Sequence, residues 1–279
     1  MINGVAAGLT LMAVCAHPDD ESTSVGGALA RYADEGARTI VVTCTGGEFG
    51  DGLGGVKPGE HGHDGQAVAA IRLAEFKNAC RCLKVYELEV LGYHDSGLAD
   101  WGYRHQSVFC NVAAPVVAAR VGELLNRYRP QVIITHNAND ELQHPDHVHA
   151  GQSTALAVEM TDIPAKLYFK AHGTSYWNRI REALAQVGIV RVAPDSQQRQ
   201  QWDCVERQIT TTIDVKDVID RKREALMAHS SQLNSSLAAK IPAELWPLVF
   251  GAETFIRVHD TTRAPTPEDD LFAGLRPGG

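Results

Sequence analysis

Apolar strand-like runs and helix-spaced segments alternate along the first two thirds of the chain. Residues 9–16 form a nearly continuous apolar run, which is typical of a strand buried on both faces, and apolar positions in 22–35 then recur at helical spacing. The same pair of patterns returns at 39–44 and 65–83, at 86–91 and 112–128, and at 132–135 and 150–160. A fifth strand is expected at 166–171, followed by a helix at 176–187. These repeated units predict an α/β fold with a mostly parallel sheet flanked by helices.

The periodicity weakens after residue 187, so the last third is predicted to be a less regular α+β part. We expect residues 1–170 to form a catalytic core, with residues 171–279 completing the same domain. Pro265, Pro267 and Pro277, together with three consecutive acids at 268–270, predict a solvated, extended C-terminal tail.

Charge and composition narrow the class of partner. The 26 basic and 34 acidic side chains give a formal charge of −8, which offers no attraction to nucleic acid or to anionic lipid. The apolar run near the N-terminus is far shorter than the 18 or so residues that span a bilayer. Six cysteines in 279 residues are too sparse for a disulfide framework. We therefore expect a cytoplasmic protein with a small-molecule partner; homo-oligomerisation stays open.

Polar loops follow each of the first four predicted strands. In an open parallel sheet these loops converge on the edge where ligands bind. The loops are residues 17–21, the glycine-rich stretch 46–55 with Glu48, residues 94–96, and residues 136–149. The chemistry of the protein is therefore expected at this edge.

Two clusters of histidine and aspartate in these loops indicate a metal site. His17 and Asp20 are three residues apart, and His144 and His147 repeat that spacing. His17, Asp20 and His147 supply two imidazoles and a carboxylate, a set that suits a catalytic zinc with an open coordination position. Asp19, His144 and Asp146 are additional titratable groups beside this set, and they suggest hydrolysis. The competing interpretation is that Asp19 or Asp20 only caps the following helix.

Other catalytic patterns fit less well. The loop 45–52 lacks the Gly-Lys-Ser/Thr ending of a phosphate-binding loop and carries acids where phosphate would lie, so a substrate loop that includes Glu48 is favoured. No Gly-x-Ser-x-Gly motif is present, which disfavours a serine hydrolase. Among the remaining histidines, His61 and His63 are candidate pocket residues, whereas structural roles are expected for the others.

The motifs Ala16-His17-Pro18-Asp19-Asp20-Glu21 and His144-Pro145-Asp146-His147 closely resemble those of the LmbE-like (PIG-L) superfamily of zinc-dependent N-acetylglucosamine deacetylases. Further stretches, at 29–36, 41–48, 95–98 and 270–274, are similar to the mycothiol branch, namely the mycothiol deacetylase and the mycothiol S-conjugate amidase. The resemblance covers nearly the whole chain. It implies a Rossmann-like fold, a divalent metal, and cleavage of an amide on the 2-amino group of a glucosaminyl-inositol.

The resemblance also implies roles for individual residues. It makes His17, Asp20 and His147 the metal ligands, with zinc expected and Fe²⁺ as another possible ion. Asp19 becomes the general base, and His144, oriented by Asp146, becomes the electrophile or general acid. Substrate-binding positions are implied for Arg72 and Asp95, which match residues that hold sugar or inositol hydroxyls, and for Ser24, which stands where the amidase carries a lysine.

One position departs from the mycothiol relatives. They usually have a tyrosine two residues before His-Pro-Asp-His, where this chain has Leu142. The leading hypothesis is therefore a deacetylase acting on a glucosamine-type nitrogen. The alternatives are a mycothiol S-conjugate amidase, a deacylase of a natural-product thiol-sugar conjugate, and a metal-dependent hydratase on the same scaffold.

Overall fold

The computed structural model describes residues 6, 8–98, 107–140 and 143–276 of the chain. Its centre is a sheet of seven strands in the order β3-β2-β1-β4-β5-β7-β6. The strands are β1 (Thr10–Cys15), β2 (Arg38–Thr45), β3 (Glu87–Tyr93), β4 (Val132–Thr135), β5 (Lys166–Lys170), β6 (Thr211–Asp214) and β7 (Ala252–Asp260). The first five strands pair in parallel, whereas β7 is antiparallel to both β5 and β6. The predicted α/β class with a mostly parallel sheet is confirmed.

Nine α-helices flank the sheet in the described part of the chain. They are α1 (Asp20–Ser24), α2 (Gly26–Asp34), α3 (Gly65–Cys82), α4 (Ala114–Tyr128), α5 (Pro145–Thr161), α6 (Thr174–Gln186), α7 (Ser196–Gln208), α8 (Ile219–Ala228) and α9 (Trp246–Phe250). The single helix predicted at 22–35 is two helices, because the backbone leaves helical geometry at Val25. Helix α5 starts five residues before its predicted start at 150, so it includes His147. Helices α7, α8 and α9 lie in the stretch where the periodicity weakens, and none of them was predicted.

Strand β1 is buried on both faces, which explains its unbroken apolar sequence. Leu11 and Ala13 pack into the core that includes Leu29 of α2. Met12 and Val14 point to the opposite face of the sheet and belong to the core lined by α4 and α5. All six residues of β1 are buried, and this central position fixes where the loop that follows the strand emerges.

The order in which strands are added to the sheet reverses direction between β1 and β4, and this reversal indicates where a ligand site lies. From β1 the chain builds outward to β2 and β3, and β4 then pairs with the other side of β1, with Val14 opposite Thr135. Ligands of open α/β sheets bind in the crevice at such a point, outside the carboxyl ends of the strands. The loops that carry the two predicted metal-binding motifs border this crevice.

The C-terminal part contributes β6 and β7 to the same sheet, but its last described segment, up to Arg276, is not the wholly solvated tail that its prolines and acids predicted; Pro277 falls outside the described residues. Glu268, Leu271 and Phe272 are buried. Leu271 donates its N–H to the Tyr32 hydroxyl, at 2.7 Å, and Phe272 packs edge-on against the Tyr32 ring. The segment therefore packs against α2, because burial of Leu271 and Phe272 is favourable and the Glu268 carboxylate is compensated by Lys166.

Two further features bear on the composition arguments. Among the described residues, no helix is both long enough and apolar enough to cross a bilayer. All six cysteines are free thiols.

The buried carboxylate of Glu268 generates a stability prediction. It accepts hydrogen bonds from Tyr168, at 2.8 Å, and from Arg257, at 2.8 Å, and it pairs with the fully buried ammonium of Lys166. Removing one partner of a buried pair leaves an uncompensated charge, so Glu268→Ala should lower the free energy of unfolding by about 3–5 kcal/mol.

Denaturant unfolding of this variant beside Lys216→Ala provides the check. Lys216 forms an exposed ion pair with Asp214, and its loss should cost at most about 1 kcal/mol. Equal effects of the two substitutions would contradict a stabilising role for the buried pair.

Candidate functional site

Three side chains meet at the β1–β4 crevice in an arrangement that can hold a metal ion. The ligand atoms of His17, Asp20 and His147 all lie within 4.8 Å of one another. His147 Nε2 is 3.3 Å from Asp20 Oδ1, and His17 Nδ1 is 3.7 Å from Asp20 Oδ2. Two imidazoles and one carboxylate match a three-ligand site that leaves a coordination position free. The structure thus brings together the three residues that the sequence motifs selected.

The candidate ligands Asp20 and His147 lie in the first turns of two helices that start near the ends of strands. Strand β1 ends at Cys15, and the chain turns so that Asp20 is the first residue of α1. At the other motif, His144 is the N-cap of α5 and Pro145 occupies its first turn, where a missing N–H and a preset φ are tolerated. His147 therefore lies at the start of the helix, facing the loop that follows β1.

The ring of His17 is held from its other side by carboxylates. Its Nε2 lies 3.2 Å from Asp146 Oδ2 and 3.4 Å from Asp95 Oδ1, an arrangement that commonly orients metal-ligating histidines. Burial opposes protonation of His17, but Asp95, Asp146 and Asp20 raise its pKa well above the ordinary value. A proton on this ring therefore competes with a metal ion for the site.

Asp146, to which the family resemblance assigned the orientation of His144, contacts that ring more closely through its backbone than through its carboxylate. Asp146 Oδ2 is 4.0 Å from His144 Nδ1, and it also contacts His17 and accepts the N–H of Ser96, at 2.9 Å. The backbone N–H of Asp146 donates to His144 Nδ1, at 3.2 Å. Burial and the nearby His17 lower the pKa of His144 to about 4. Neutral His144 with an accepting Nδ1 carries its proton on Nε2.

Asp19 adopts a backbone conformation that aspartate rarely takes. Its φ of 117° lies in the region that favours glycine, at a typical cost of about 1–3 kcal/mol. The Asp19 side chain makes no helix-capping hydrogen bond, which argues against the capping interpretation. Instead, Arg72 Nη2 donates to Asp19 Oδ2, at 3.1 Å. Desolvation raises the pKa of the Asp19 carboxyl group, and Arg72 opposes that rise.

A cavity of about 480 Å³ opens over this part of the site. One side is lined by His17, Asp19, Arg72, Asp95 and His144, and the other by residues that include Phe49, Asp51, Lys57, Gln232 and Ser235. Carboxylates, cations and an aromatic ring thus surround a space large enough for a small polar ligand. Asp19, which can accept a proton, and His144, which can donate one, face the same space as His17 of the candidate metal site.

The predicted substrate-binding residues have different positions. Arg72 and Asp95 line the cavity. Glu48 does not; its Oε2 accepts the backbone N–H of Asp95, at 2.9 Å, so it holds a residue that lines the cavity. Ser24 also lies outside the cavity, and its hydroxyl accepts from Lys170 Nζ, at 2.8 Å. Leu142 falls outside the described residues.

Two basic side chains beside Asp20 were not singled out from the sequence. His136 accepts the N–H of Ala16 on Nε2, at 3.0 Å, and its ring stacks on His147 with 4.0 Å between centroids. Lys170 Nζ lies 4.0 Å from Asp20 Oδ1. His136 directly follows a buried strand in a loop already recognised as polar, so position alone could have identified it. Lys170 lies inside β5 and carried no such signal.

Three of the histidines outside the two motifs lie away from the cavity. His61 and His63 do not line the cavity, although His63 Nε2 contacts the carbonyl of Gly50, at 2.9 Å. His229, expected to be structural, is fully buried and contacts Glu21 beside the site, with 2.7 Å between His229 Nε2 and Glu21 Oε1. No local pattern marked His229, because its partner is 208 residues away along the chain.

The fold and site together define an α/β protein with a His-Asp-His cluster that could hold a metal ion at the switch point of a mostly parallel sheet. The model of the family described as "PIG-L: GlcNAc-PI de-N-acetylase" matches residues 12–158. The chain belongs to this family. One relative, from Acidothermus cellulolyticus, is named 1D-myo-inositol 2-acetamido-2-deoxy-alpha-D-glucopyranoside deacetylase. It is 33% identical over 277 residues, and the alignment covers 95% of each chain. A mycothiol S-conjugate amidase of Streptomyces coelicolor is 32% identical, covering 96% of this chain and 98% of its own.

Solved structures support the fold. A deacetylase of the teicoplanin biosynthesis pathway superposes with a TM-score of 0.58 at 18% identity, covering 89% of this chain and 97% of its own. The 4-carboxy-2-hydroxymuconate hydratase of Pseudomonas putida superposes with a TM-score of 0.56 at 17% identity, covering 92% and 99%. Because a deacetylase and a hydratase share this architecture, the fold alone does not determine the reaction.

We expect about one divalent ion per chain, since three ligands form one site. Elemental analysis should find this stoichiometry strongly reduced in His147→Ala and unchanged in His61→Ala, whose side chain is exposed and outside the cavity. Competition with a chelator should show tighter binding at pH 8 than at pH 6, because His17 must lose its proton to bind the ion. Full occupancy in His147→Ala would contradict the ligand set.

Proposed function

We propose that this protein is a zinc-dependent amidohydrolase that removes an acyl group from the 2-amino group of a glucosamine-type sugar. Deacetylation of an N-acetylglucosaminyl-inositol or a related glycoside is the leading reaction. The observation that supports it best is the shared cavity, in which the Asp19 carboxylate and the His144 ring both lie beside His17. Free thiols fit the proposed cytoplasmic location.

The proposed ligands are His17, Asp20 and His147. Two imidazoles and a carboxylate without a thiolate suit a catalytic zinc ion, and they also accept Fe²⁺. The bound ion would polarise the amide carbonyl and make water a stronger nucleophile at neutral pH. The carboxylate of Asp146 keeps the His17 ring in place through the contact at 3.2 Å.

Asp19 is the proposed general base. Its carboxylate faces the cavity and has a raised pKa, so it can accept a proton from the attacking water and pass it to the departing amine. Arg72 holds one carboxylate oxygen, at 3.1 Å, and also donates to the carbonyl of Pro18, at 2.6 Å. The base therefore keeps one direction towards the substrate.

His144 is the proposed donor to the developing oxyanion. With Nδ1 occupied by the Asp146 N–H, a neutral ring presents Nε2–H as its donor. A preorganised donor of this kind stabilises the transition state without changing its own protonation. This role differs from that of a protonated general acid, since the pKa of His144 is lowered to about 4.

Arg72 and Asp95 are the proposed contacts to sugar hydroxyls. Asp95 Oδ1 accepts from the N–H of Gly97, at 2.9 Å, and Oδ2 accepts from that of Phe49, at 3.2 Å. The contact with His17 and these hydrogen bonds lower the pKa of Asp95, although burial opposes this. An ionised carboxylate held in this way favours a ligand rich in hydroxyl donors.

The S-conjugate amidase remains the second candidate, because the amidase of Streptomyces coelicolor aligns over almost the whole chain. Its acyl group would be a substituted N-acetylcysteine. A natural-product thiol-sugar conjugate is a related alternative. A hydratase is less favoured, since Asp19 and His144 supply the base and donor that amide hydrolysis requires.

The function is tested by incubating the metal-loaded protein with N-acetylglucosaminyl-inositol, a mycothiol S-conjugate and simple N-acetylglucosides, and measuring released amine. We expect the highest kcat/KM on the inositol glycoside. Asp19→Asn should retain metal and lose about 10²–10⁴-fold in kcat, because an amide cannot take up the proton. Preference for the conjugate would favour the amidase. Metal-loaded protein that releases no amine from any substrate would contradict the proposal.

Replacement of His144 tests the donor role. His144→Ala should retain metal and lose about 10²–10³-fold in kcat, the usual effect of removing one oxyanion donor. With a pKa of about 4 the ring stays neutral from pH 6 to 8, so the fractional loss should be constant across that interval. A loss that changes steeply with pH there would instead identify His144 as a titrating acid.

A further inference from the structure

We propose that the buried pair of Glu21 and His229 is a positioning element for Asp19. His229 fixes the Glu21 carboxylate, and Glu21 binds the backbone N–H of Asp19, so that the C-terminal part of the chain sets the direction of the base. This inference rests on the proposed function of Asp19. Neither Glu21 nor His229 lines the cavity that would hold the substrate. Both residues therefore act on the reaction through Asp19.

Glu21 connects the two ends of this chain of contacts. Its Oε2 accepts the N–H of Asp19, at 2.9 Å, and its Oε1 contacts His229 Nε2, at 2.7 Å, and accepts from Ser22 Oγ, at 2.5 Å. Both Glu21 and His229 are fully buried. A buried carboxylate with three partners in fixed directions has little freedom to move.

The conformation of Asp19 explains why such an anchor is needed. At φ 117° the residue is outside the range that L side chains prefer, so the backbone would relax without contacts that hold it. Its carbonyl oxygen is already fixed by the N–H groups of Ser22, at 3.1 Å, and Thr23, at 3.0 Å. The hydrogen bond to Glu21 fixes the opposite side of the same residue, and the two together determine where the carboxylate points.

The segment 229–236 supports Asp19 by a second route. Ser230 Oγ and Ser231 Oγ donate to Glu75, at 2.8 and 2.7 Å. Glu75 lies on α3 one turn after Arg72, whose guanidinium binds the Asp19 carboxylate. The same C-terminal segment therefore borders both contacts that hold the base: the acceptor for its N–H and the helix that carries its cation.

Paired substitutions separate positioning from general stability. Glu21→Ala removes the acceptor, whereas Glu21→Gln retains an amide oxygen for the Asp19 N–H. His229→Leu removes the contact to Glu21, whereas His229→Gln keeps an amide group near the position of Nε2. We expect Glu21→Ala and His229→Leu to lower kcat about 100-fold, because a displacement of about 1 Å can have this effect. KM and metal content should change less than about twofold, and the Gln variants should recover most of kcat.

A double-mutant cycle tests whether the effect passes through Asp19. In the Asp19→Asn background, Glu21→Ala and His229→Leu should cause almost no further loss of kcat, since residues that act as a unit are not additive. Full additivity would overturn the proposal. Lys222→Met is the matched control: Lys222 is also a buried residue of the C-terminal part, paired with Glu253 at 2.6 Å, and its replacement should lower stability while leaving kcat of the folded protein near the wild-type value.

Amide hydrogen exchange gives a readout that does not depend on the reaction. The N–H groups of Asp19, Ser22 and Thr23 should lose protection in Glu21→Ala and keep it in Glu21→Gln. Unchanged protection in Glu21→Ala would overturn the positioning role even where kcat falls. A wild-type protein that hydrolyses none of the substrates would refute the proposed function alone, and the exchange experiment would then decide the positioning of Asp19.

Discussion

The buried carboxylate of Asp20 is the interaction on which the rest of the site depends. It is 4% exposed, and its oxygens lie within 4.0 Å of nitrogen atoms of His17, His136, His147 and Lys170. Burial opposes its ionisation, yet His147 and His136 hold its pKa well below the ordinary value. A charge in this position must be compensated. A divalent cation would meet that requirement, so ligand binding and stability of the fold should be coupled at this residue.

The sheet supplies the constraint that brings these groups together. Asp20 follows β1, His147 follows β4, and the two strands pair directly although more than a hundred residues separate them. Strand β5 is next in the sheet and delivers Lys170 to the same carboxylate. A parallel arrangement thus places the ends of three neighbouring strands around one charge. The proposed acid–base residues Asp19 and His144 are close in sequence to the proposed ligands, so they reach the same cavity as His17.

The sequence predicted those parts of the site that are encoded locally. His17, Asp20 and His147 could be identified from the sequence because each motif is short and follows an apolar strand. Asp146 was expected to orient His144, and their adjacency in the sequence did not reveal that the Asp146 carboxylate also contacts His17. His229 had no local signal at all. The prediction of a solvated tail was wrong for a related reason. Glu268 was expected to be solvated, but inside the fold its charge is compensated by Lys166, which lies 102 residues away in the sequence.

These contacts also suggest how reaction and substrate preference can vary independently. The proposed metal ligands and Asp19 lie after β1, in α1 and at the start of α5, next to the neighbouring strands β1 and β4. The opposite wall of the cavity is built from the loop after β2 and the segment after α8, where Asp51 binds both Lys57 and Ser235, at 2.7 and 2.6 Å. Substitutions in that wall would change which ligand fits without moving Asp19. The segment after α8 also contacts Glu21 through His229 and Glu75 through Ser230 and Ser231, so changes there are limited by the contacts that hold Asp19.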